Sequence, residues 1–131
     1  MKISTFATDL DLEENGVWVD IGQGASLLIA RQGNPRYNEH VRKTCKPHSR
    51  QIRNQTISEE LSNELLIASL AETILLDWKG LEDDKGKPIK YSKKAAIELL
   101  TGLKDFRALV QEIAREQATF RAAEIEEEGN V

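Results

Sequence analysis

The stretch Leu76-Asp77-Trp78-Lys79-Gly80-Leu81-Glu82-Asp83-Asp84-Lys85-Gly86-Lys87-Pro88-Ile89-Lys90-Tyr91-Ser92 lies between two helix-forming segments and decides how the chain is divided. It carries a Trp, a Tyr, two Gly, a Pro and mixed charge, whereas a solvated linker has no need of the aromatics. A catalytic loop would need a nucleophile or a His, and only Ser92 is present, placed where a helix begins. Asp77-Trp78-x-Gly80-Leu81 reads as the close of the preceding helix, with the Trp tucked into the core. Asp84 to Pro88 reads as a tight charged turn, and Tyr91-Ser92 as an anchor and cap for the next helix.

Upstream, Thr56 and Ser58 compete as N-cap, and Thr56 with Glu59 fits a capping box. The helix is expected from Ser58 to Trp78. Its apolar positions, from Leu61 through Leu65, Leu66, Leu70 and Ile74 to Leu75, cover a wide stripe, so it is the central core helix. Downstream, Ser92 caps a helix from Lys93 to Leu100, and Gly102 breaks the chain. A last long helix is expected from Lys104 to Glu127, with Phe106, Leu109, Val110, Ile113, Gln117 and Phe120 at intervals of three and four. Beyond Gln117 the pattern thins into Glu-rich sequence. The end of this helix is therefore expected to project, and Val110, Gln117 and Phe120 become candidate partner contacts.

At the other end, residues 1 to 15 read as loosely ordered, like 124 to 131. Val17-Trp18-Val19-Asp20-Ile21 and Ala25 to Arg31, joined by Gly22-Gln23-Gly24, form a β-hairpin. A hairpin alone is marginal in water and must pack on helices or pair with another chain. Asn34-Pro35 starts a helix, Asn34 as N-cap, that runs to Cys45 and ends before Pro47. Pro47 to Asn54 is a basic connector. The expected fold is α+β: one helix-dominated domain over residues 1–131, with a short N-terminal β-hairpin and a long C-terminal helix.

Composition narrows the function classes. With 131 residues, 40% hydrophobic and 31% charged, the chain has the makings of one charge-rich globular domain. A net charge of −4 implies no global attraction to nucleic acid or anionic membrane. One cysteine, Cys45, excludes an internal disulfide framework. Leu65 to Ala68 is soon interrupted by Ser69 and Glu72, so no membrane span is expected, and Met1 to Phe6 lacks a signal-peptide apolar run. His40, Cys45 and His48 invite a zinc reading, but their spacing is poor and a fourth ligand is missing. No phosphate loop, His-Glu-x-x-His pair, nucleophile elbow or EF-hand loop occurs. The chain is therefore expected to be no enzyme, with no cofactor, no metal site and no catalytic residue.

Charge placement says more than its sum. Arg31, Arg36, Arg42, Lys43, Lys46, Arg50 and Arg53 stand against Glu39 alone. That block offers a second function class, a small DNA-binding regulator using Arg31–Arg53. Aromatic interleaving is limited to Tyr37 and Pro47 interrupts a single recognition helix. The block reads better as a solvated face or a complement to acidic partners.

Three segments together resemble the tail assembly chaperones of long, non-contractile-tailed bacteriophages and related prophages. They are Gly16 to Asp20 through Leu28 to Tyr37, the basic helix with Val41-Arg42-Lys43 and Lys46-Pro47, and Ile74 to Leu81 with Gly86 to Ile89, Tyr91-Ser92 and Leu99-Leu100-Thr101. Their order and spacing carry the resemblance over residues 16 to 120. It implies a small α+β protein that binds the tape measure protein and helps recruit tail tube protein in the host bacterial cytoplasm, and that is left out of the mature virion. It further implies a frameshifted longer form of the same chain as a partner, and homo-oligomerisation on the client. Neither membrane nor nucleic acid is an expected partner. The candidate contacts are Trp18, Arg36, Arg42, Lys43, Leu81, Tyr91, Val110, Gln117 and Phe120, as apolar side chains framed by charge.

Overall fold

In the computed structural model, residues 1–121 are described. The chain is α+β, with helices packed on one face of a three-stranded antiparallel sheet of order β1-β2-β3. Strands β1 (Val17–Gly22) and β2 (Ala25–Ile29) are the expected hairpin. They pair from Val17↔Ile29 to Gly22↔Ala25, with a bulge between Asp20 and Gly22. The third strand, β3 (Leu75–Lys79), was expected as the last turns of the core helix, and this is the main correction to the sequence reading. Helix α4 (Glu59–Thr73) stops at Ile74, and the chain turns to run antiparallel to β2.

The reason lies in tertiary pairing. Leu75 and Trp78 are three residues apart, the spacing of a helix face. Ile29 pairs with Leu75 and Leu28 with Asp77, so Leu76 is an extra residue in β3. That bulge returns Trp78 to the inner face opposite Leu27, and both Leu75 and Trp78 are buried. A strand thus buries the same residues a helix would, and also supplies β2 with a hydrogen-bonded neighbour on its free edge.

Helix starts follow the sequence closely. Asn34 accepts from the Tyr37 amide (3.0 Å) at the head of α2 (Pro35–Cys45), with Pro35 at the first helical position. Ser58, rather than Thr56, caps α4, accepting from the Leu61 amide at 3.1 Å. Ser92 caps α5 (Lys93–Gly102) through the Ala95 amide at 3.0 Å. Between α2 and α4 the expected connector is mostly helical: a 3-10 turn over Lys46–His48 leads into α3 (Ser49–Arg53). Pro47 fits the first turn of this new segment, where a missing amide proton costs nothing.

Helix α6 (Lys104–Arg115) is shorter than expected, and a 3-10 segment over Gln117–Arg121 follows it; residues 122 to 127 of the expected helix, and the Glu-rich end, lie outside the described residues. The Ala114 carbonyl accepts from the Gln32 amide (2.9 Å), and the Ile113 carbonyl accepts from the Thr119 hydroxyl (3.2 Å). These partners replace helical amides and turn the chain inward. Phe120 is consequently buried.

The first fifteen residues are more ordered than their polarity implied. Asp9 caps α1 (Leu10–Asn15), accepting from the Asp11 amide (2.9 Å) and the Leu12 amide. Glu13 receives Arg31 Nη1 at 2.6 Å and the Thr8 hydroxyl, while the Arg31 guanidinium lies 5.9 Å from the centre of the Phe120 ring. This ties α1 to the end of β2 and to the last described segment.

The core consists of Leu27, Ile29 and Ala30 from the β2 end, Leu75 and Trp78 from β3, and Ile67, Leu70, Ala71 and Ile74 from the α4 segment. Ala96, Leu100, Val110 and Ala114 close it from α5 and α6. Gly80 ends β3 at φ 76°, and a side chain there would overlap the Gly24 carbonyl. Gly80→Ala combines left-handed strain with backbone overlap, so we expect a loss of about 1–3 kcal/mol in urea unfolding. An unchanged midpoint would contradict this packing.

Burial raises the Glu13 pKa, but hydrogen bonds from Thr8 and Arg31 and the Arg31 charge outweigh it and hold the carboxyl below its usual range. A carboxyl depressed on folding stabilises above its unfolded pKa, and that contribution disappears as pH falls through the folded value. The stability gap between wild type and Glu13→Gln should therefore be full near neutral pH and shrink on acidification. A gap that does not vary with pH would argue against the ion pair.

Candidate partner-binding surface

Helix α2 packs against α4 and presents the rest of its circumference. On one flank Pro35, Arg36, Glu39, His40 and Lys43 line an open depression of about 520 Å³, closed on its far side by Glu72 and Thr73. Its charges are mixed. Arg42 reaches Glu39 at 2.6 Å and Lys43 reaches the same carboxylate at 3.7 Å. Arg42 holds the Glu39 carboxyl below its usual range. Arg36, Lys46, Arg50 and Arg53 form no ion pair among the described residues. His40 Nδ1 lies 2.8 Å from the Ser69 hydroxyl, which ties α2 to α4. No group of three or more metal-ligating side chains occurs among the described residues.

The opposite flank is apolar. Tyr37, Val41 and Cys45 of α2 meet Ile52, Ile57, Leu65 and Leu66 around a groove of about 230 Å³. Across Cys45 and Ile52 it continues into an open area of about 380 Å³ rimmed by Arg42, Lys46 and Arg53. Ile52 sits in the segment the sequence presented as a basic connector, and its role there was not legible until α3 formed. The one available signal was Ile52 with Ile57, two β-branched apolar residues in otherwise polar surroundings.

The residues singled out from sequence fall in four places. Arg36, Arg42 and Lys43 lie exposed on α2, as one group. Trp18 stands on the outer face of the sheet, 40% exposed, with Lys79 Nζ 3.9 Å from its ring centre. Leu81 and Tyr91 pack against the core. The connector folds back along β3: Ile89 donates its amide to the Leu81 carbonyl (2.8 Å), and Tyr91 donates its hydroxyl to the Leu75 carbonyl (2.8 Å). Trp78 Nε1 donates to the Ile89 carbonyl at 2.7 Å, and its ring meets Tyr91 edge-on at 4.9 Å. Burial, joined by the charges of Asp77 and Glu72, pushes the Tyr91 phenol pKa up.

Val110 and Phe120 are fully buried, so their apolar side chains complete this chain's own core and present nothing to a partner. Gln117 is half-buried at the start of the final 3-10 segment. The structure thus unites the basic α2 residues and leaves Trp18 on a separate face. No helix among the described residues is long and apolar enough to cross a membrane.

Residues 32–130 match the family model described as the YdaY prophage protein. The chain is a prophage protein, and it belongs to the YdaY prophage protein family. No curated protein and no solved structure matches it.

Tyr91→Phe removes one hydrogen bond and leaves the Leu75 carbonyl unpaired, at a cost of about 1 kcal/mol. Urea unfolding of the variant should show that loss with the Trp78 environment retained. A loss of β3 would indicate a larger role for the phenol.

Proposed function

We propose that this prophage protein is a tail assembly chaperone, a binding protein that holds amphipathic helices of the tape measure protein and helps bring tail tube subunits to it. The observation that carries the reading is the exposed flank of α2, an open depression of mixed charge beside a packed helix pair with Arg36 and Lys43 at its lip. A long amphipathic client helix offers charged and apolar side chains in separate lines, and such a surface accommodates that without enclosing it. Membership of a prophage family supports the setting. The order of the hairpin, the basic helix and the Trp78–Ser92 connector supports the comparison with tail chaperones. On this reading the protein acts in the host cytoplasm and is absent from finished particles, with a frameshifted longer form among its partners. Trp18 adds a second contact on the sheet's outer face.

Co-expression with a tape measure fragment tests the proposal. The wild-type chain should co-purify with the fragment, and Arg36→Glu with Lys43→Glu should reduce recovery at least tenfold while the thermal midpoint stays within a few degrees. Absence of any complex with fragments covering the whole tape measure would sink the proposal.

The DNA-binding reading draws on one observation, that the basic residues continue past Pro47 into α3 and leave Arg36, Lys46, Arg50 and Arg53 outside any ion pair among the described residues. It requires duplex binding that persists at physiological salt and weakens steeply as salt rises.

A further inference from the structure

Ile3, Phe6 and Leu10 are 89%, 62% and 75% exposed, an unusual concentration of large apolar side chains in so short a segment. They are held out from the domain by a fixed root. The Asp9 amide donates to the Phe120 carbonyl at 3.2 Å, and Thr8 bonds to Glu13. Around them the charge is acidic, with Asp9, Asp11 and Glu14 against Lys2.

The apolar groove between α2, α3 and α4 has the complementary character. Its floor includes Val41, Cys45 and Ile52, Ile52 being 41% exposed, and its outer rim carries Lys46 and Arg53. The root of the segment lies at the start of α2, and the groove runs along the flank of that helix from Tyr37 to its opening at Cys45. Glu13 sits beside Asn34 at the helix start, where Asn34 Nδ2 donates to the Glu13 carbonyl at 3.2 Å. The groove opens where the helix ends, at Cys45. The 11 residues of α2 separate the root from that opening by about 16 Å.

We infer that the segment carrying Ile3, Phe6 and Leu10 docks into the α2–α3–α4 groove of a second copy of this chain. The apolar side chains cover Val41, Cys45 and Ile52, and Asp9 and Asp11 face Lys46 and Arg53. Charge complementarity sets the orientation. Because the two surfaces differ, the contact is head-to-tail, and a pair of copies retains one free segment and one free groove. Such a contact adds copies in a row. It uses the flank of α2 away from Arg36 and Lys43, and stands or falls independently of the client reading.

Sedimentation velocity on the full chain over a wide concentration range, with mixing of variants, tests the inference. Wild type should gain mass with concentration, and that gain should weaken in high salt without disappearing. Ile3→Asp with Phe6→Asp, and separately Ile52→Asp, should each remain at monomer mass with unchanged thermal midpoints. Lys46→Glu with Arg53→Glu, on the exposed rim, should weaken association at least tenfold and serves if Ile52→Asp melts early. An equimolar mixture of the segment variant and the groove variant should form a dimer and stop there, since only one intact segment and one intact groove remain. Monomer mass at every concentration, including the case in which the segment folds into its own groove, overturns the inference. So does association that survives all of these variants, or a mixture that fails to dimerise.

Discussion

The pairing of Leu75–Lys79 with the second strand of the hairpin is the constraint on which the rest of the structure depends. Without it the hairpin is a two-stranded ribbon of marginal stability. With it, Leu27 meets Trp78 and Ile29 meets Leu75, and the sheet has an apolar inner face wide enough for the helices to cover. The same strand organises the connector that leads to α5. Trp78 takes the Ile89 carbonyl as its hydrogen-bond partner and Tyr91 takes the Leu75 carbonyl, so the charged connector is pinned along the sheet. Buried indole and phenol groups require such partners, and here each partner is a backbone group of the connector or strand.

Much of this arrangement was legible in the residues, for local reasons. Asn34-Pro35, Ser58 and Ser92 carry their own capping chemistry, and the hairpin announces itself by β-branched runs about a glycine-rich turn. The third strand was not legible because its bulge gives Leu75 and Trp78 the spacing of a helix face, and only the waiting edge of β2 distinguishes the two outcomes. The last helix misled for a similar reason. Phe120 continues the periodicity of Val110 and Ile113, yet Gln32 and Thr119 take the carbonyls that would have carried the helix onward. Periodicity reports which residues are buried more dependably than the backbone that buries them.

On the candidate surface around α2, sequence reasoning found the charges and missed the apolar floor. Arg36, Arg42 and Lys43 were visible as a basic cluster, but Ile52 and Ile57 acquired meaning only when the turn after Cys45 brought α3 against α2 and α4. The aromatic and apolar residues judged available to a partner were largely claimed by the chain itself. Leu81 and Tyr91 seal the connector, while Val110 and Phe120 fill the interior. Trp18 alone among them stays substantially exposed, steadied by Lys79. Helix α2 itself presents one flank of mixed charge and one apolar flank.

The most direct measurement of the central claim is the backbone state of residues 74 to 79 in solution, by NMR chemical shifts and cross-strand contacts in the intact protein. Extended shifts, a close contact between the backbones of Leu27 and Trp78, and slow amide exchange through β2 are expected if β3 closes the sheet. Helical shifts running unbroken from α4 through Trp78, with no contact to Leu27, would contradict it.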